Sequence, residues 1–159
     1  EQYAYYPTTL TESEVNIKLA DGSLSYNAEY RLASPEVVRQ KVVEAMDKEV
    51  YAMEDFTSLD ADYIRLFETF VDYLRQDGVE VILVLSPYHP QFYDYLADSE
   101  KYHLVADVQQ YFIDYGQRNG IPVLGSYDAR DIPCGEEEFF DQLHAKSSCM
   151  RKIFAGVRP

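Results

Sequence analysis

A run of five apolar residues, VILVL at positions 81–85, constrains the fold of this chain more than any other stretch. It follows a helix-like pattern that ends at Gly78 and leads into a proline-rich SPYHP segment. Apolar runs of this length, bounded by turn residues, are typical of strands buried on both faces of a parallel sheet. The run is too short for a membrane helix, which needs ~20 apolar residues. We therefore expect residues 79–87 to form a strand of a helix-covered parallel sheet.

The rest of the chain alternates between helical and strand patterns. A second strand is predicted in IPVLGSYD, residues 121–128, and a β-hairpin around Asp21-Gly22. Alternation of this kind predicts right-handed crossovers and a three-layer α/β sandwich with a mainly parallel sheet. Residues 1–12 are predicted to be an extended lead-in, and residues 13–159 a single domain. Helices are predicted over 35–50, 58–77, from about 91, over 102–118 and over 146–155.

Composition restricts the partners of the domain. The chain has 159 residues, 47% of them hydrophobic, which is enough for one core. Its 28 acidic and 14 basic residues give a formal charge of −14. This charge repels nucleic acid and anionic membrane surfaces, so we expect neither as a partner. The simplest reading of the acidity is a solvated surface that keeps the protein soluble.

Two cysteines, Cys134 and Cys149, leave two interpretations open. If they pair, the loop of about 16 residues contributes ~3 kcal/mol in the chain-entropy model and indicates an oxidising compartment. Otherwise they are unpaired thiols. No CxxC or Cys/His spacing occurs, so neither a metal site nor a cofactor is predicted.

The segment between the cysteines contains a candidate acid–base pair, Asp141 and His144. A carboxylate three residues before an imidazole can accept a hydrogen bond from its Nδ1. This contact fixes the tautomer and leaves Nε2 able to take a proton from a serine. The spacing alone is weak evidence, because Asp is common in this chain. The pair becomes stronger evidence for a functional site if other loops converge on it.

Two further loops should converge on this pair, because ligands bind beyond the carboxyl ends of parallel strands. The first carries Ser86, Tyr88 and His89, and the second carries Tyr127. We expect these four side chains to contact substrate. His89 has an alternative role as a loop histidine bound to a backbone carbonyl, and His103 is expected at the surface. The other tyrosines are expected to pack in the core, as at Tyr63, Tyr111 and Tyr115.

Several segments taken in order resemble the SGNH (GDSL-type) hydrolases associated with bacterial surface polysaccharides. They are LADGSLSY, VEVILVLSPYHPQFYDYL, IPVLGSYD and FFDQLHAKSSCMRKIF, and together they span about 15–154. The resemblance implies a flavodoxin-like sandwich and deacetylation or acyl transfer on sugars. It also implies that Asp141 orients the imidazole and that His144 is the general base. The expected substrate is therefore a polysaccharide or another acyl ester.

The chain departs from this family in lacking a Gly-x-Ser nucleophile block after a first strand. Ser23 lies in a permuted motif, Asp21-Gly22-Ser23-Leu24, on a hairpin turn, so a structural role is expected. The family builds its oxyanion hole from backbone and Asn or Gly groups, whereas the corresponding loop here offers Ser86, Tyr88 and His89. Of these, His89 could donate to a developing oxyanion or contact sugar hydroxyls. We expect the nucleophile in an upstream segment that also anchors an extracytoplasmic protein to the membrane.

Two consequences follow from a missing nucleophile block. A missing first strand would expose a sheet edge, which favours self-association. The alternative to an enzyme is a non-catalytic module that binds a polysaccharide or an envelope assembly partner, because an Asp/His pair alone cannot form an acyl-enzyme.

Overall fold

A computed structural model describes residues 13–50 and 52–155. The predicted lead-in, residues 1–12, lies outside the described residues. Four short 3₁₀ helices occur within them, at Met53–Asp55, Glu100–Tyr102, Ala129–Asp131 and Glu136–Glu138. The described strands are β1 (Ile17–Lys18), β2 (Leu24–Ser25), β3 (Leu83–Leu85) and β4 (Val123–Gly125). The described α-helices are α1 (Ala28–Arg31), α2 (Pro35–Met46), α3 (Ala61–Gln76), α4 (Pro90–Ala97), α5 (Leu104–Asn119) and α6 (Ser147–Ile153).

The predicted β-hairpin is confirmed. β1 and β2 pair antiparallel, with Ile17 opposite Ser25. Gly22 has a φ of 87°, a left-handed conformation that glycine adopts without steric cost. The Asp21 carboxylate accepts hydrogen bonds from the backbone and the hydroxyl of Ser23, and these bonds lower the pKa of Asp21. Ser23 therefore has the structural role that its position in the turn predicts.

The predicted parallel pairing is confirmed for two strands. β3 and β4 pair in parallel, with Leu83 opposite Val123 and Leu85 opposite Gly125. The chain between them passes through α4 and α5, which supply the long crossover that parallel strands need. The mixed α/β class is therefore correct. A three-layer sandwich is not confirmed, because the described residues form only this two-stranded sheet and the separate hairpin.

β3 is shorter and less covered than its sequence predicts. It spans three residues instead of the predicted 79–87, and although Leu85 is buried, Val84 is 39% exposed. The described residues do not cover Val84, so this face of the strand is partly open to solvent. The prediction of a strand buried on both faces is wrong at this position.

Helix ends that carry strong capping residues lie close to the predicted positions, whereas α2 ends at Met46 instead of near residue 50. Ser34 caps α2 ahead of Pro35, and the Asp60 carboxylate accepts hydrogen bonds from two backbone N–H groups at the start of α3. Gly120 ends α5 with a φ of 62°. A search of the described helices finds none with the length and apolar character needed to cross a membrane.

The core has three apolar clusters, each joining different elements. The first packs α2 against α4 through Val42, Phe92 and Leu96, which are almost fully buried. The second surrounds Phe139 near α6, and the third joins α3 to α5. Since Phe139 lies just before the predicted acid–base pair, the second cluster supports that segment directly.

The expected burial of the tyrosines is correct in part. Tyr115 is 2% exposed, and Tyr111 packs beside it between α3 and α5. Tyr63 is 73% exposed, so its predicted core position is wrong. Phe70 of the same helix is also 57% exposed. The apolar face of α3 is wider than the part that α5 covers.

Candidate acid–base site

The predicted acid–base pair lies in a tight loop just before α6. Phe139 and Ala145 form an antiparallel bridge, and the Phe140 N–H donates to the His144 carbonyl at 2.9 Å. A disulfide between Cys134 and Cys149 closes the segment, with 5.4 Å between the two Cα atoms. The question of paired or unpaired thiols is thus answered in favour of the disulfide. The loop is held by its backbone at one point and covalently at another.

Backbone hydrogen bonds hold the Asp141 carboxylate in place independently of its contact with the imidazole. It is 9% exposed, and its Oδ1 accepts hydrogen bonds from the N–H groups of Leu143 and His144, both at 2.9 Å. His144 Nδ1 lies 2.9 Å from Oδ1 and 2.8 Å from Oδ2. A carboxylate held in this way sets the orientation of the ring.

The contact with Asp141 determines what His144 can do. A carboxylate only accepts, so in the neutral ring the proton lies on Nδ1 and Nε2 presents a lone pair. The His144 side chain is 48% exposed, and no residue among 13–50 and 52–155 hydrogen-bonds Nε2. The pair can therefore accept a proton from an incoming hydroxyl group.

Tyr26 is a neighbour of the pair that the sequence did not indicate. Its ring centroid lies 5.6 Å from that of His144 and 4.8 Å from that of Phe140. Burial raises the pKa of Tyr26, and the nearby Asp141 carboxylate raises it further. Arg31 holds this position by donating to the Tyr26 carbonyl at 2.8 Å. Only the fold brings the hairpin to a loop more than a hundred residues later, so no local pattern could have revealed the contact.

An ion pair fastens the start of this segment to α6. Lys152 donates to the Glu138 carboxylate, which also accepts from the Gly135 N–H at 3.1 Å. The hydrogen bond from Lys152 is the main cause of a lowered pKa for Glu138, and burial opposes it. Glu138 is buried although it is acidic. It connects the loop to the helix that follows.

We expect Glu138→Gln to reduce stability at neutral pH by about 1 kcal/mol. Because the folded-state pKa is lowered, the stabilisation is present above the unfolded pKa and disappears as the pH falls through the folded pKa. Urea unfolding at about pH 7 and about pH 3 measures the difference. Glu137→Gln, at an exposed neighbour, is the control. An equal loss at both pH values would contradict an ionic contribution.

His89 lies behind the loop instead of facing solvent. It is fully buried, its backbone N–H donates to the Gln142 carbonyl at 3.0 Å, and its ring packs against Phe139. Nδ1 accepts from the Gln91 N–H at 3.3 Å, which places the ring proton on Nε2. Nε2 has no partner among the described residues. Burial lowers the pKa of His89 and favours the neutral ring.

The structure places Tyr88 and Tyr127 together but away from His144. Their ring centroids are 5.4 Å apart, and both line an apolar cavity of about 330 Å³ between α5 and the segment before α3. Burial raises the pKa of Tyr127 to about 12. Ser86 is exposed just after β3. The predicted site residues therefore form two separate contacting pairs: Asp141 with His144, and Tyr88 with Tyr127, whose carbonyl accepts from the Tyr88 N–H at 3.0 Å.

A second cavity, of about 440 Å³, lies directly beside Asp141. Buried Phe92 separates the two spaces, because it lines this cavity and packs against Tyr88 with 6.0 Å between ring centroids. No local pattern indicates this cavity, which is assembled from α1, α2, α4 and the acid–base loop. Its other lining residues are Tyr30, Lys41, Glu44, Ala45, Lys48, Glu49, Val50, Gln142 and Leu143.

In the described part of the chain, no three His, Cys, Asp or Glu side chains come together in a way that could hold a metal ion. Searches for similar protein families, curated proteins and solved structures found no match to this chain.

Proposed function

We propose that this chain supplies the acid–base pair of an SGNH-type esterase or O-acyltransferase that acts on a cell-surface polysaccharide. The observation that carries the proposal is the contact of His144 Nδ1 with both oxygens of the anchored Asp141, with Nε2 left available. The anchored carboxylate fixes the orientation of the imidazole, which a general base requires.

In the proposed reaction, His144 Nε2 is the atom that accepts and returns the proton. A serine hydroxyl gives its proton to Nε2 while its oxygen attacks the acyl carbonyl carbon. When the bond to the sugar oxygen breaks, Nε2 returns the proton to the leaving alcohol. Asp141 stabilises the imidazolium that forms between the two steps. The proposal places the serine outside these 159 residues or in another chain, because no described residue hydrogen-bonds Nε2 and residues 1–12, 51 and 156–159 contain no serine.

The fold and the compartment belong to the same proposal. Parallel β3 and β4 joined by helices are the building unit of a flavodoxin-like three-layer sandwich. The acid–base loop follows β4, on the side where such sheets bind ligands. The Cys134–Cys149 disulfide is compatible with an extracytoplasmic protein. These features support the proposal without being specific to it.

Activity of the natural protein tests the proposal directly. Acetate release from an O-acetylated polysaccharide and hydrolysis of p-nitrophenyl acetate are measured for wild type, His144→Gln and His103→Gln. His103 is a matched control because it is an exposed histidine whose Nδ1 meets only a backbone carbonyl, that of Glu100. Loss of activity in His144→Gln alone is expected. A wild type inactive on both esters, or a fully active His144→Gln, would overturn the proposal.

A non-catalytic binding module is the second candidate. The observation that favours it is a polar cavity next to Asp141 that His144 does not line. Under this alternative the pair is a structural contact, and the cavity binds a polysaccharide or an assembly partner without turnover. Polysaccharide binding that is the same in wild type and in His144→Gln would favour it.

The chemistry of the cavity beside Asp141 supports a sugar ligand for either candidate. Lys41 Nζ is buried and has no hydrogen-bond acceptor among the described residues. The nearest charge is the Glu29 carboxylate at 3.6 Å, and the Tyr30 ring centroid lies 3.9 Å away. A buried ammonium with unmet donors is costly, so an oxygen-bearing ligand would be favoured there.

The charges of the cavity select the kind of oxygen. The cavity is lined by three acidic side chains, Glu44, Glu49 and Asp141, and by two basic ones, Lys41 and Lys48. This excess of negative charge disfavours an anionic ligand. Neutral hydroxyl groups can accept from the ammonium and donate to the carboxylates. A sugar ring combines such hydroxyls with an apolar face for the buried floor of the cavity.

We expect Lys41→Met to weaken sugar binding at least tenfold, about the value of one charge-assisted hydrogen bond. Titration of the ¹⁵N-labelled chain with N-acetylchitotriose and with maltotriose measures the affinity at the amides of Ala45, Gln142 and Leu143. Lys101→Met, at an exposed lysine outside the cavity, should bind as wild type does. Equal affinities for both variants, or no response to either sugar, would contradict the assignment.

A further inference from the structure

His89 is a fully buried titratable side chain that the proposed ester chemistry does not use. It is the N-cap of α4, where its Nδ1 accepts a hydrogen bond from the Gln91 N–H at 3.3 Å. A nitrogen that accepts this bond carries no proton of its own, so the ring proton lies on Nε2. The ring thus takes the place of the Asp, Asn or Ser side chains that usually cap a helix. Only the neutral imidazole can have this role.

Protonation of His89 would remove the cap of α4. An imidazolium carries a proton on both nitrogens, so Nδ1–H would face the Gln91 N–H and two donors would oppose each other. The N-terminus of α4 also carries the partial positive charge of the helix dipole, which disfavours a cation at this position. Nε2 has no hydrogen-bond partner among residues 13–50 and 52–155, so these residues offer the charged ring no acceptor. All three effects favour the neutral ring.

The charged groups around His89 do not outweigh these effects. Glu136 and Asp141 are close enough to favour the protonated ring, whereas Arg39 of α2 opposes it. Glu136 is in addition paired with Arg39, whose Nε lies 3.2 Å from the carboxylate. The largest single effect is burial, and it lowers the pKa of His89 below its ordinary value of 6.5. The ring is therefore neutral in neutral solution, as its hydrogen bond with Gln91 requires.

His89 also holds the acid–base loop. Its backbone N–H donates to the Gln142 carbonyl at 3.0 Å, and its ring packs edge-on against Phe139 with 5.5 Å between ring centroids. Gln142 lies between the two members of the acid–base pair, and Phe139 lies just before them. The ring has no exposed surface, so water reaches it only when the segment packed on it moves. Hydration of a charged His89 therefore requires displacement of the loop.

We propose that His89 makes the acid–base loop sensitive to pH, because protonation of this buried ring requires the loop to move away from the start of α4. The neutral ring supports the closed loop fully above the pKa of a free imidazole, and this support decreases as the pH falls towards the lower folded-state pKa. At about pH 5, protonation favours the open loop by at most about thirtyfold, given a free imidazole pKa of about 6.5. The inference does not use the ester chemistry proposed above and is measured without a substrate.

Hydrogen exchange of the loop amides at about pH 7 and about pH 5 tests the proposal. The informative amides are those of His89 and Phe140, which donate to the backbone carbonyls of Gln142 and His144. Their protection, corrected for the intrinsic exchange rate at each pH, should fall about five- to thirtyfold in wild type. The fall is expected because each opening of the loop exposes the ring to protonation.

His89→Asn distinguishes this ring from the other titrating groups. Asparagine is a strong N-cap residue with a side-chain oxygen that can accept from the helix N–H groups, and it does not titrate. Protection in this variant should start lower, because the packing against Phe139 is lost, but should hardly change between the two pH values. His103→Asn and His144→Gln should keep the pH dependence of wild type, since both of these histidine side chains are accessible to solvent.

The ring of His89 can also be followed in wild type, which keeps the test independent of whether His89→Asn folds. ¹⁵N spectra of the histidine side chains should show His89 as the neutral Nε2–H tautomer in the folded protein at about pH 5. A His89 ring that is protonated at this pH while the loop amides keep their protection would overturn the proposal. Wild-type protection that does not fall, or a fall that His89→Asn shares, would also overturn it.

Discussion

Replacing Asp141 by asparagine is expected to lower kcat for ester cleavage about 10⁴-fold, as severely as His144→Gln. Asparagine keeps the carbonyl oxygen that accepts from the Leu143 and His144 N–H groups, so the loop should retain its shape. It removes the second acceptor for Nδ1 and the charge that stabilises an imidazolium. The wrong tautomer then becomes accessible, and Nε2 no longer reliably presents a lone pair.

Asp60→Asn is the matched control for this substitution. Asp60 Oδ1 accepts from two backbone N–H groups at 2.8 and 3.1 Å, as Asp141 does, but it contacts no histidine. If Asp141→Asn keeps its kcat, or if Asp60→Asn loses as much activity, Asp141 is only a loop-stabilising residue.

Truncation of Phe139 to alanine is expected to cost about 3–5 kcal/mol of stability. Phe139 is fully buried, packs edge-on against His89 at 5.5 Å between ring centroids, and belongs to the cluster around the disulfide. Its removal leaves a cavity directly beneath the acid–base loop. Because the disulfide restrains this region, collapse into the space is limited. Denaturant unfolding with the disulfide intact measures the loss.

Phe140→Ala is the control that distinguishes the effect of burial from the effect of removing an aromatic side chain. Phe140 is adjacent and aromatic, yet it is only partly buried and packs against Tyr26 and Lys146 at the surface. Its truncation should cost less than about 1.5 kcal/mol. Phe139→Leu should recover much of the stability of wild type, because it keeps most of the apolar volume. A Phe139→Ala variant as stable as Phe140→Ala would contradict the anchoring role.

Local signals made the helices predictable. Ser34 with Pro35, Asp60 and Gly120 act within one turn of the chain, so their effect on helix ends can be read directly from sequence. The Asp21-Gly22 turn is equally local. The spacing of Asp141 and His144 also falls within one short loop. Its geometry could be predicted for that reason.

Longer-range features were less predictable because they depend on what covers a surface. Helical periodicity identified the apolar face of α3 but could not distinguish the part under α5 from the part around Tyr63 and Phe70. The apolar run before Ser86 indicated a strand but not that Val84 would be exposed. The approach of Tyr26 to His144 depends on the packing of the hairpin, which no local pattern encodes.

Whether the disulfide is formed depends on how a sample of the protein is prepared. Cys134 and Cys149 bracket the acid–base loop, whereas β3 and β4 carry no covalent restraint of this kind. Chains made in a reducing cytosol would therefore keep their parallel strands while the loop loses its crosslink. Far-ultraviolet spectra would hardly distinguish such material from the oxidised protein. Thiol counting on each preparation should therefore precede every activity measurement described above.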